Sequence, residues 1–287
     1  MTNAFFTHKQ SEKITDRQAE CQRNKIKVND ELTGDIIIKE EPPKLRKDGQ
    51  PKRTHPNKAK DISSMVEPFK NKEDIAAIWD VLDNAILKAE ENYRNGIDDT
   101  DLYVYKAYRN KLYFKIGMNN GLRISDLSRL KYSDFIAKNG KEYDFIDGTR
   151  IKPKKTEKTG KFVDLDYNNA TMIAFRDFYK RFPMECEEDL DKYLFTASNK
   201  RSDTPLTGAQ AWSIIKQVTE KAGLKGNFGT HSLRKTYGYH HWHDAVDKTK
   251  ALDMLNYKYG HTSIQCTLRY IGITREEEKD FANEINL

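Results

Sequence analysis

Hydrophobic residues recur at helical spacing along most of the chain after residue 70. In "NKEDIAAIWDVLDNAILKAEENY" they predict one face of an amphipathic helix, and Asn71 with the acids that follow suits its start. The apolar positions are Ile75, Ile78, Leu82, Ile86 and Leu87. A second helix is predicted over about 101 to 118, with a buried stripe of Leu102, Tyr105, Tyr108, Leu112, Tyr113 and Ile116. The folded domain is therefore predicted to begin with this pair of helices.

Turn residues divide the rest of the chain into short elements. Asn119-Asn120-Gly121 predicts a helix end, and a new short helix is predicted near Ser125. Three strand-like segments follow, "YDFID", "TRIKPKK" and "KFVDLD", separated by Gly148 and the turn "TEKTG". Helical patterns return in "NNATMIAFRDFYKRF", "TGAQAWSIIKQVTEKAG", "HSLRKTYGYHHWH" and "KTKALDMLNYKYG", and once more near 274 to 285. The predicted fold is mainly α with a small antiparallel β-sheet, an α+β class.

Residues 1 to 67 have a different character, because they are polar and poorly periodic apart from the apolar burst "DIIIKEEPP". That burst favours an isolated strand that cannot bury itself. Between Lys44 and Lys60, basic residues accumulate against the single acid Asp48, and prolines prevent a long helix. Two interpretations stay open: a solvated linker, or a basic arm that lies along phosphates. In the second, the contacts are Lys44, Arg46, Lys47, Lys52, Arg53, Lys58 and Lys60.

Composition narrows the class of protein only slightly. The 287 residues, 37% of them hydrophobic, suffice for one large domain or two modest ones. The formal net charge of +6 fits a polyanion-binding surface and also many ordinary proteins. The three cysteines are too widely spaced for a disulfide framework or a Cys-x-x-Cys metal site. Neither a membrane-spanning apolar run nor a signal peptide is recognisable, so a cytoplasmic protein is expected.

Four segments of the predicted domain carry reactive or charged side chains: "GLRISDL", "KKTEKTGKF", "THSLRKT" and "GHTSIQCTLRY". They contain, in order, an arginine after a glycine, a lysine-rich turn, a His-x-x-Arg motif, a Gly-His pair and a tyrosine nine residues after that histidine. Each pattern alone is common, and a lone His-x-x-Arg on a helix is usually a surface pair. Their joint occurrence in this order is what carries information.

These segments resemble the catalytic domain of the tyrosine recombinases, the phage integrase family, over about residues 70 to 287. The resemblance implies a site-specific DNA recombinase that cuts and rejoins DNA through a 3′-phosphotyrosyl intermediate. The catalytic positions that it implies are Arg123, Lys155, His231, Arg234, His261 and Tyr270. The turn offers Lys154, Lys155, Lys158 and Lys161. We favour Lys155 because "KKT" ends the first strand of the hairpin, where the family lysine usually sits, and Lys158 is a close alternative.

The chemistry of these residue types agrees with the resemblance. Breaking a DNA strand without water, metal or ATP requires a protein nucleophile that a DNA hydroxyl can later displace, and a tyrosine can do this. Its phenol has a pKa near 10, so attack needs help with the proton and stabilisation of charge on the phosphoryl oxygens. Arginine suits that task because its planar donors stay charged and can grip two oxygens of one phosphate. No cofactor is expected.

The remaining positions are assigned to proton transfer and phosphate binding. In the family, the hairpin lysine protonates the 5′ oxygen that leaves. His231 resembles the residue that assists the tyrosine's proton, and His261 resembles the one that holds the phosphate through its ring. Asp126 is expected to support the fold or orient Arg123. In "HHWHD", His240 and Trp242 are predicted to pack on a helix face, and no metal site is predicted there.

Two departures from the family pattern stand out. Tyr259 precedes the Gly-His pair where many relatives have leucine, which puts the local packing in doubt. Residues 1 to 67 are also too short and polar for the helical core-binding domain of most members. We therefore predict an arm or linker over 1–67 and a catalytic domain over 68–287, whose hold on one DNA site depends strongly on salt and on partner protomers.

The acidic tail after Tyr270 is predicted to form a helix with an apolar series of Ile273, Phe281, Ile285 and Leu287. It packs either on its own domain or, by analogy with the family, on a neighbouring protomer, which implies a dimer or tetramer on double-stranded DNA. A bacterial or phage-encoded, nucleoid-associated protein is expected. Two other functions stay open: a type IB topoisomerase-like relaxation of DNA, and a DNA-binding accessory protein without turnover.

Overall fold

A computed structural model describes residues 65–97, 101–139, 142–146, 151–156, 160–197 and 203–273, together with two strands nearer the N-terminus. The chain divides into two units, Met1–Met65 and Val66–Leu287. In the first unit, β1 (Lys25–Asn29) pairs with β2 (Ile36–Glu40) in an antiparallel hairpin. The apolar burst therefore has a partner strand, which the sequence analysis missed.

The second unit is mainly helical, as predicted. Its described helices are α1 (Lys72–Arg94), α2 (Leu102–Asn120), α3 (Ile124–Ser128), α4 (Asn169–Arg181), α5 (Gly208–Lys221), α6 (Ser232–His243), α7 (Lys248–Tyr259) and α8 (Ile264–Ile271). Each predicted helical segment within the described residues is confirmed. The predicted last helix, near 274 to 285, lies outside them. None of the described helices is long and apolar enough to cross a membrane.

The β-structure of the second unit consists of two separate hairpins. In one, β3 (Ile136–Asn139) pairs with β4 (Glu142–Phe145), and in the other β5 (Ile151–Lys155) pairs with β6 (Phe162–Asp166). The three predicted strands correspond to β4, β5 and β6. Strand β3 was missed because "IAKN" is too short to show alternation. Helix α8 was missed too, although Ser263 caps it by accepting a hydrogen bond from the Cys266 N–H.

Helix α2 lies at the centre of this unit and packs against α1, α4 and α6. Its aromatic side chains Tyr105, Tyr113 and Phe114 are fully buried. Burial of a tyrosine requires a partner for its hydroxyl. Tyr105 donates to the backbone carbonyl of Leu194 at 2.8 Å, and the Tyr113 hydroxyl bonds that of Ser128 at 2.8 Å. These bonds fix the direction of α2, whose C-terminal end faces α6.

A second, smaller apolar cluster joins α6, α7 and α8. Its buried members are Tyr237, Tyr239, Leu255, Tyr259 and Ile271. The end of β6 is tied to the same region, because Tyr237 donates to the Asp166 carboxylate at 3.2 Å. The Asp166 N–H in turn donates to the Asn120 side chain, at the end of α2, at 2.6 Å. Residues from five sequence segments are thereby brought to one end of the unit.

Candidate active site

Two arginines from distant segments meet at the C-terminal end of α2. Arg123 directly precedes α3, and Arg234 lies in the first turn of α6 with its side chain buried. Arg123 donates to the backbone carbonyl of Tyr259 at 3.2 Å, and Arg234 donates to the same oxygen at 3.5 Å. Both guanidinium groups are therefore within hydrogen-bonding distance of one atom, and a single phosphate can reach both.

Gly121 makes this meeting possible. It ends α2 with a left-handed backbone, φ 59°, and its carbonyl accepts a 2.5 Å hydrogen bond from Arg234. A β-carbon at this position would lie 2.6 Å from Cδ1 of Tyr237. Glycine is thus required twice, once for its backbone conformation and once for the close approach of a buried ring.

The variant Gly121→Ala is expected to lose about 2 to 4 kcal/mol of unfolding free energy, because left-handed strain adds to a steric clash with Tyr237. Gly96→Ala is the matched control. Gly96 also has a left-handed backbone, φ 67°, but its β-carbon would meet no atom within 4 Å. Urea denaturation of both variants separates strain from clash. Equal losses would contradict the close approach described here.

Tyr270 directs its hydroxyl into this arginine pair. The hydroxyl lies 3.1 Å from Nδ1 of His231. Burial raises the pKa of the Tyr270 phenol, while the charges of Arg234 and Arg123 and the hydrogen bond from Arg234 oppose that rise. The phenol is therefore protonated at neutral pH. The imidazole of His231 stands within reach as the acceptor of its proton.

A chain of hydrogen bonds fixes the orientation of His261. The Thr267 hydroxyl donates its only proton to Asn256 at 2.8 Å, so it can only accept from Nδ1–H of His261, 3.0 Å away. The other ring nitrogen, Nε2, is left for a ligand. Burial and the charges of Arg234 and Arg123 lower the pKa of His261. A bound phosphate anion opposes this effect and favours the protonated ring, which can donate from Nε2.

The lowered pKa of His261 predicts a loss of stability on acidification. The contribution is fully present above the pKa of the unfolded chain, about 6.5, and disappears as the pH falls through the lower folded value. The thermal unfolding midpoint should therefore fall between about pH 7 and pH 5, and less so in His261→Gln. Part of the slope should remain, because burial also lowers the pKa of His241.

The control for this measurement is His243→Gln, which removes an exposed imidazole at the end of α6. It should keep the pH dependence of the wild-type protein. The prediction is wrong if His261→Gln and the wild-type protein lose the same stability over the same pH range.

The hairpin lysines differ in their surroundings. Lys154 forms a 2.6 Å ion pair with Asp134, so its ammonium group is engaged in the fold. Lys155 is exposed at the end of β5, opposite Phe162. Within the described ranges, no hydrogen bond or ion pair joins Lys155 to the arginine pair or to Tyr270. Lys158 lies outside the described residues, and the choice between Lys155 and Lys158 stays a prediction.

Several other predicted positions can be located. The arm residues Lys44, Arg46, Lys47, Lys52, Arg53, Lys58 and Lys60 lie outside the described residues, as do Phe281, Ile285 and Leu287 of the tail. In "HHWHD", His240 hydrogen-bonds the Phe69 carbonyl at 2.9 Å, and His241 hydrogen-bonds that of Tyr237 at 2.8 Å. No group of three or more potential metal ligands occurs in the part of the chain that the structure describes.

Comparison with known proteins identifies the family of the chain. The family model described as "Phage integrase family" matches residues 89–277, about two thirds of the chain. The chain belongs to the phage integrase family. The predicted resemblance is thereby confirmed, and all five of Arg123, His231, Arg234, His261 and Tyr270 fall inside the matched region of this integrase-family chain.

Three relatives illustrate the range of similarity within the phage integrase family. "Probable integrase/recombinase YoeC" of Bacillus subtilis is 30% identical over 171 residues, 60% of this chain and 81% of that protein. "Tyrosine recombinase XerA" of Pyrococcus furiosus is 24% identical over 179 residues, 62% of this chain and 55% of that protein. A solved structure of XerH site-specific recombinase, bound to palindromic difH substrate in a post-cleavage complex, shares the fold with a TM-score of 0.50. It is 18% identical, and the match covers 77% of this chain and 54% of that one.

One side chain at the site of this integrase-family member was missed from the sequence. Lys235 follows Arg234 in "HSLRKT", is only 5% exposed, and lies with Nζ 5.2 Å from the centre of the Tyr270 ring. Burial lowers its pKa, and the charge of Glu67 opposes the shift. It is one turn of helix from His231, so a helical projection of the motif could have placed it beside the nucleophile.

Proposed function

We propose that this chain is a site-specific DNA recombinase that cuts and rejoins double-stranded DNA through a 3′-phosphotyrosyl intermediate, without metal or ATP. One observation carries the proposal. The Tyr270 hydroxyl lies 3.1 Å from Nδ1 of His231, where the charges of Arg234 and Arg123 act on it. A nucleophile, a proton acceptor and two phosphate-binding cations are thus assembled at one place, as transfer of a phosphoryl group requires.

In the first step, the Tyr270 oxygen attacks phosphorus and the bond from phosphorus to the 5′ oxygen breaks. The phenolic proton passes to His231, and the 5′ oxygen leaves as a hydroxyl with a proton from a hairpin lysine. Arg123 and Arg234 bind the non-bridging oxygens, where charge accumulates in the transition state. Protonated His261 adds a donor from Nε2. The phosphodiester bond energy is retained in the protein–DNA link, so no ATP is needed.

In the second step, the 5′ hydroxyl of a partner strand attacks the phosphotyrosine and gives its proton to the deprotonated hairpin lysine, and Tyr270 leaves with the proton returned by His231. Exchange between two sites needs a second protomer, so we propose a dimer or tetramer on DNA, held in part by the tail helix. The basic segment between Lys44 and Lys60 supplies non-specific phosphate contacts. A recombinase acts where the chromosome lies, so the proposal implies a cytoplasmic, nucleoid-associated protein.

Covalent capture from a random pool tests the proposal without knowledge of the target sequence. Duplexes with a randomised core and a nick near each possible cleavage position release a short strand on cleavage, so the reaction cannot reverse. Protein-linked DNA that survives denaturing detergent is recovered, amplified and sequenced. Enrichment of one sequence family by the wild-type protein supports a site-specific recombinase. Failure to capture any DNA would refute the enzyme and leave a non-catalytic DNA-binding protein.

A DNA substrate whose leaving group needs no proton can show which lysine is the general acid. Lys155→Met is expected to slow cleavage of ordinary DNA by about 10² to 10⁴. Cleavage of DNA with sulfur at the 5′ bridging position should stay near the wild-type rate, because a thiolate leaves without protonation. Lys158→Met tests the alternative, and exposed Lys161→Met is the control. If neither Lys155→Met nor Lys158→Met shows this selective rescue, the assignment to these two lysines is wrong.

A type IB topoisomerase-like reaction is the second candidate, and one observation favours it. Tyr270, His231, Arg123 and Arg234 lie together within one chain, an arrangement in which a single protomer could cleave and religate one duplex. Relaxation of a supercoiled plasmid and recombination between two captured sites separate the two functions. Relaxation without any recombinant product at high protein concentration would favour the topoisomerase.

A further inference from the structure

Tyr259 replaces the leucine that is usual before the Gly-His pair, and it is at the centre of the site. Its side chain is only 1% exposed, among the most buried in the protein. Its ring lies 5.3 Å from that of Tyr270 and 5.3 Å from that of His261, measured between ring centres. The departure that cast doubt on the local packing is therefore accommodated by tight packing against the nucleophile.

The backbone and the ring of Tyr259 both face the arginines. Its carbonyl accepts from Arg123 and Arg234, as described above. The carbon at the centre of the Arg234 guanidinium group lies 4.1 Å from the centre of the Tyr259 ring, a cation–π distance. A leucine would keep the carbonyl and lose the aromatic face. The side chain therefore adds a contact to Arg234 that the usual residue cannot make.

The hydroxyl of Tyr259 is anchored to the helix that carries Arg234. It donates to the backbone carbonyl of Arg234 at 2.7 Å. Burial raises the pKa of Tyr259 well above its ordinary value, so the hydroxyl keeps its proton and remains a donor. The same residue thus holds Arg234 at two points, its backbone in α6 and its guanidinium group.

Gly238 provides the space for this hydroxyl. A β-carbon on Gly238 would lie 2.5 Å from the Tyr259 oxygen and 2.7 Å from Cγ2 of Ile271. Glycine inside a helix costs stability relative to alanine unless packing requires it. Gly238 therefore has to be small because the Tyr259 hydroxyl and Ile271 both occupy the space of a side chain, and Gly238 and Tyr259 form a matched pair.

The two neighbouring guanidinium groups need contacts that hold them in place. Arg123 and Arg234 repel each other while no phosphate lies between them, and a long side chain that is free to move must be ordered again at each reaction. The aromatic face and the carbonyl of Tyr259 offset the repulsion and keep Arg234 oriented before DNA arrives. Preorganised donors of this kind stabilise a transition state without further reorganisation.

We propose that Tyr259, seated against Gly238, is a positioning residue that holds Arg234 in the orientation for phosphate binding. The inference rests on the proposed function, because its effect on rate presupposes phosphoryl transfer by Tyr270. It predicts that the Tyr259 side chain affects the cleavage rate more than the affinity for DNA.

The test uses the full chain and a suicide duplex captured by the wild-type protein from the random pool. Tyr259→Leu is expected to lower the single-turnover cleavage rate at saturating DNA by about 10²-fold, the order caused by a misplacement of about 1 Å. The dissociation constant for DNA should change less than about threefold, since the phosphate contacts remain. Tyr259→Phe keeps the ring and should stay within about tenfold of the wild-type rate.

Tyr239→Leu is the matched control, because it makes the same change in the same buried cluster. It should lower the unfolding midpoint and leave the cleavage rate at saturating DNA unchanged. If Tyr259→Leu behaves like this control, its role is structural and the proposal is overturned. If the wild-type protein captures no DNA at all, the proposed function fails first, and the positioning role fails with it.

A double-mutant comparison tests the fit of the pair independently of activity. Gly238→Ala should lower the unfolding midpoint of the wild-type protein more than it lowers that of Tyr259→Leu, because leucine has no hydroxyl to meet the new methyl group. Equal shifts in the two backgrounds would overturn the proposed pairing, whether or not DNA is cleaved.

Discussion

Replacement of Tyr270 by phenylalanine is expected to abolish the covalent protein–DNA complex while non-covalent DNA binding persists. The change removes the nucleophilic oxygen and leaves the ring, which packs 5.0 Å from the ring of His261 and 5.3 Å from that of Tyr259. A fall of at least about 10⁴-fold in cleavage is expected, as for loss of the nucleophile in other covalent enzymes. Denaturing gels of the captured duplex measure it.

Tyr257→Phe is the control for this experiment. Tyr257 lies on α7 with its side chain 86% exposed, so loss of its hydroxyl should leave cleavage unchanged. Covalent complexes that persist in Tyr270→Phe would mean that a different side chain attacks the DNA. Mass spectrometry of the DNA-linked peptide would identify that residue directly.

Arg234→Ala is expected to slow cleavage by about 10² to 10³, the cost of one preorganised donor to a developing oxyanion. Arg234→Lys should recover only part of this loss, because an ammonium group keeps the charge but lacks the planar fork. The rate should be measured at saturating DNA in single turnovers, so that weaker binding does not contribute.

Stability has to be measured beside the rate, because Arg234 also donates to the carbonyl of Gly121. Arg176→Ala serves as the control, since Arg176 is exposed on α4. It should leave the rate at saturating DNA unchanged. A folded Arg234→Ala protein that cleaves at the wild-type rate would remove Arg234 from the catalytic site.

Most of the helices and the later hairpin strands could be predicted from sequence, and five of the positions that the resemblance implied lie close together in the structure. Helices α1 and α2 follow from the apolar spacing, which reports directly on a buried face. The convergence of Arg123 and Arg234 followed only from the family resemblance, because no local pattern specifies that residues 111 positions apart share a partner. In the structure, both arginines donate to the carbonyl oxygen of Tyr259.

Features that depend on tertiary packing could not be predicted. The sequence gives no sign that Tyr259 fits where leucine is usual. The space for its hydroxyl exists because Gly238, on another helix, has no side chain. The ring orientation of His261 depends on hydrogen bonds with Thr267 and from Thr267 to Asn256. No sequence pattern predicts these bonds. The choice of catalytic lysine stays open for a similar reason, since alternation along β5 separates Lys154 from Lys155 but does not locate the phosphate.

Tyr270, His231 and both arginines belong to one polypeptide in this structure. This arrangement has a consequence for genetic complementation. Under the proposed function, a protomer that keeps this arrangement on DNA uses its own Tyr270 with its own arginines, so two differently damaged copies would not repair each other within a mixed assembly. Defects at Tyr270 and at Arg234 would then belong to one complementation group. Each intact copy would cut only the strand that it holds, and an assembly with one damaged copy would stop after a partial exchange.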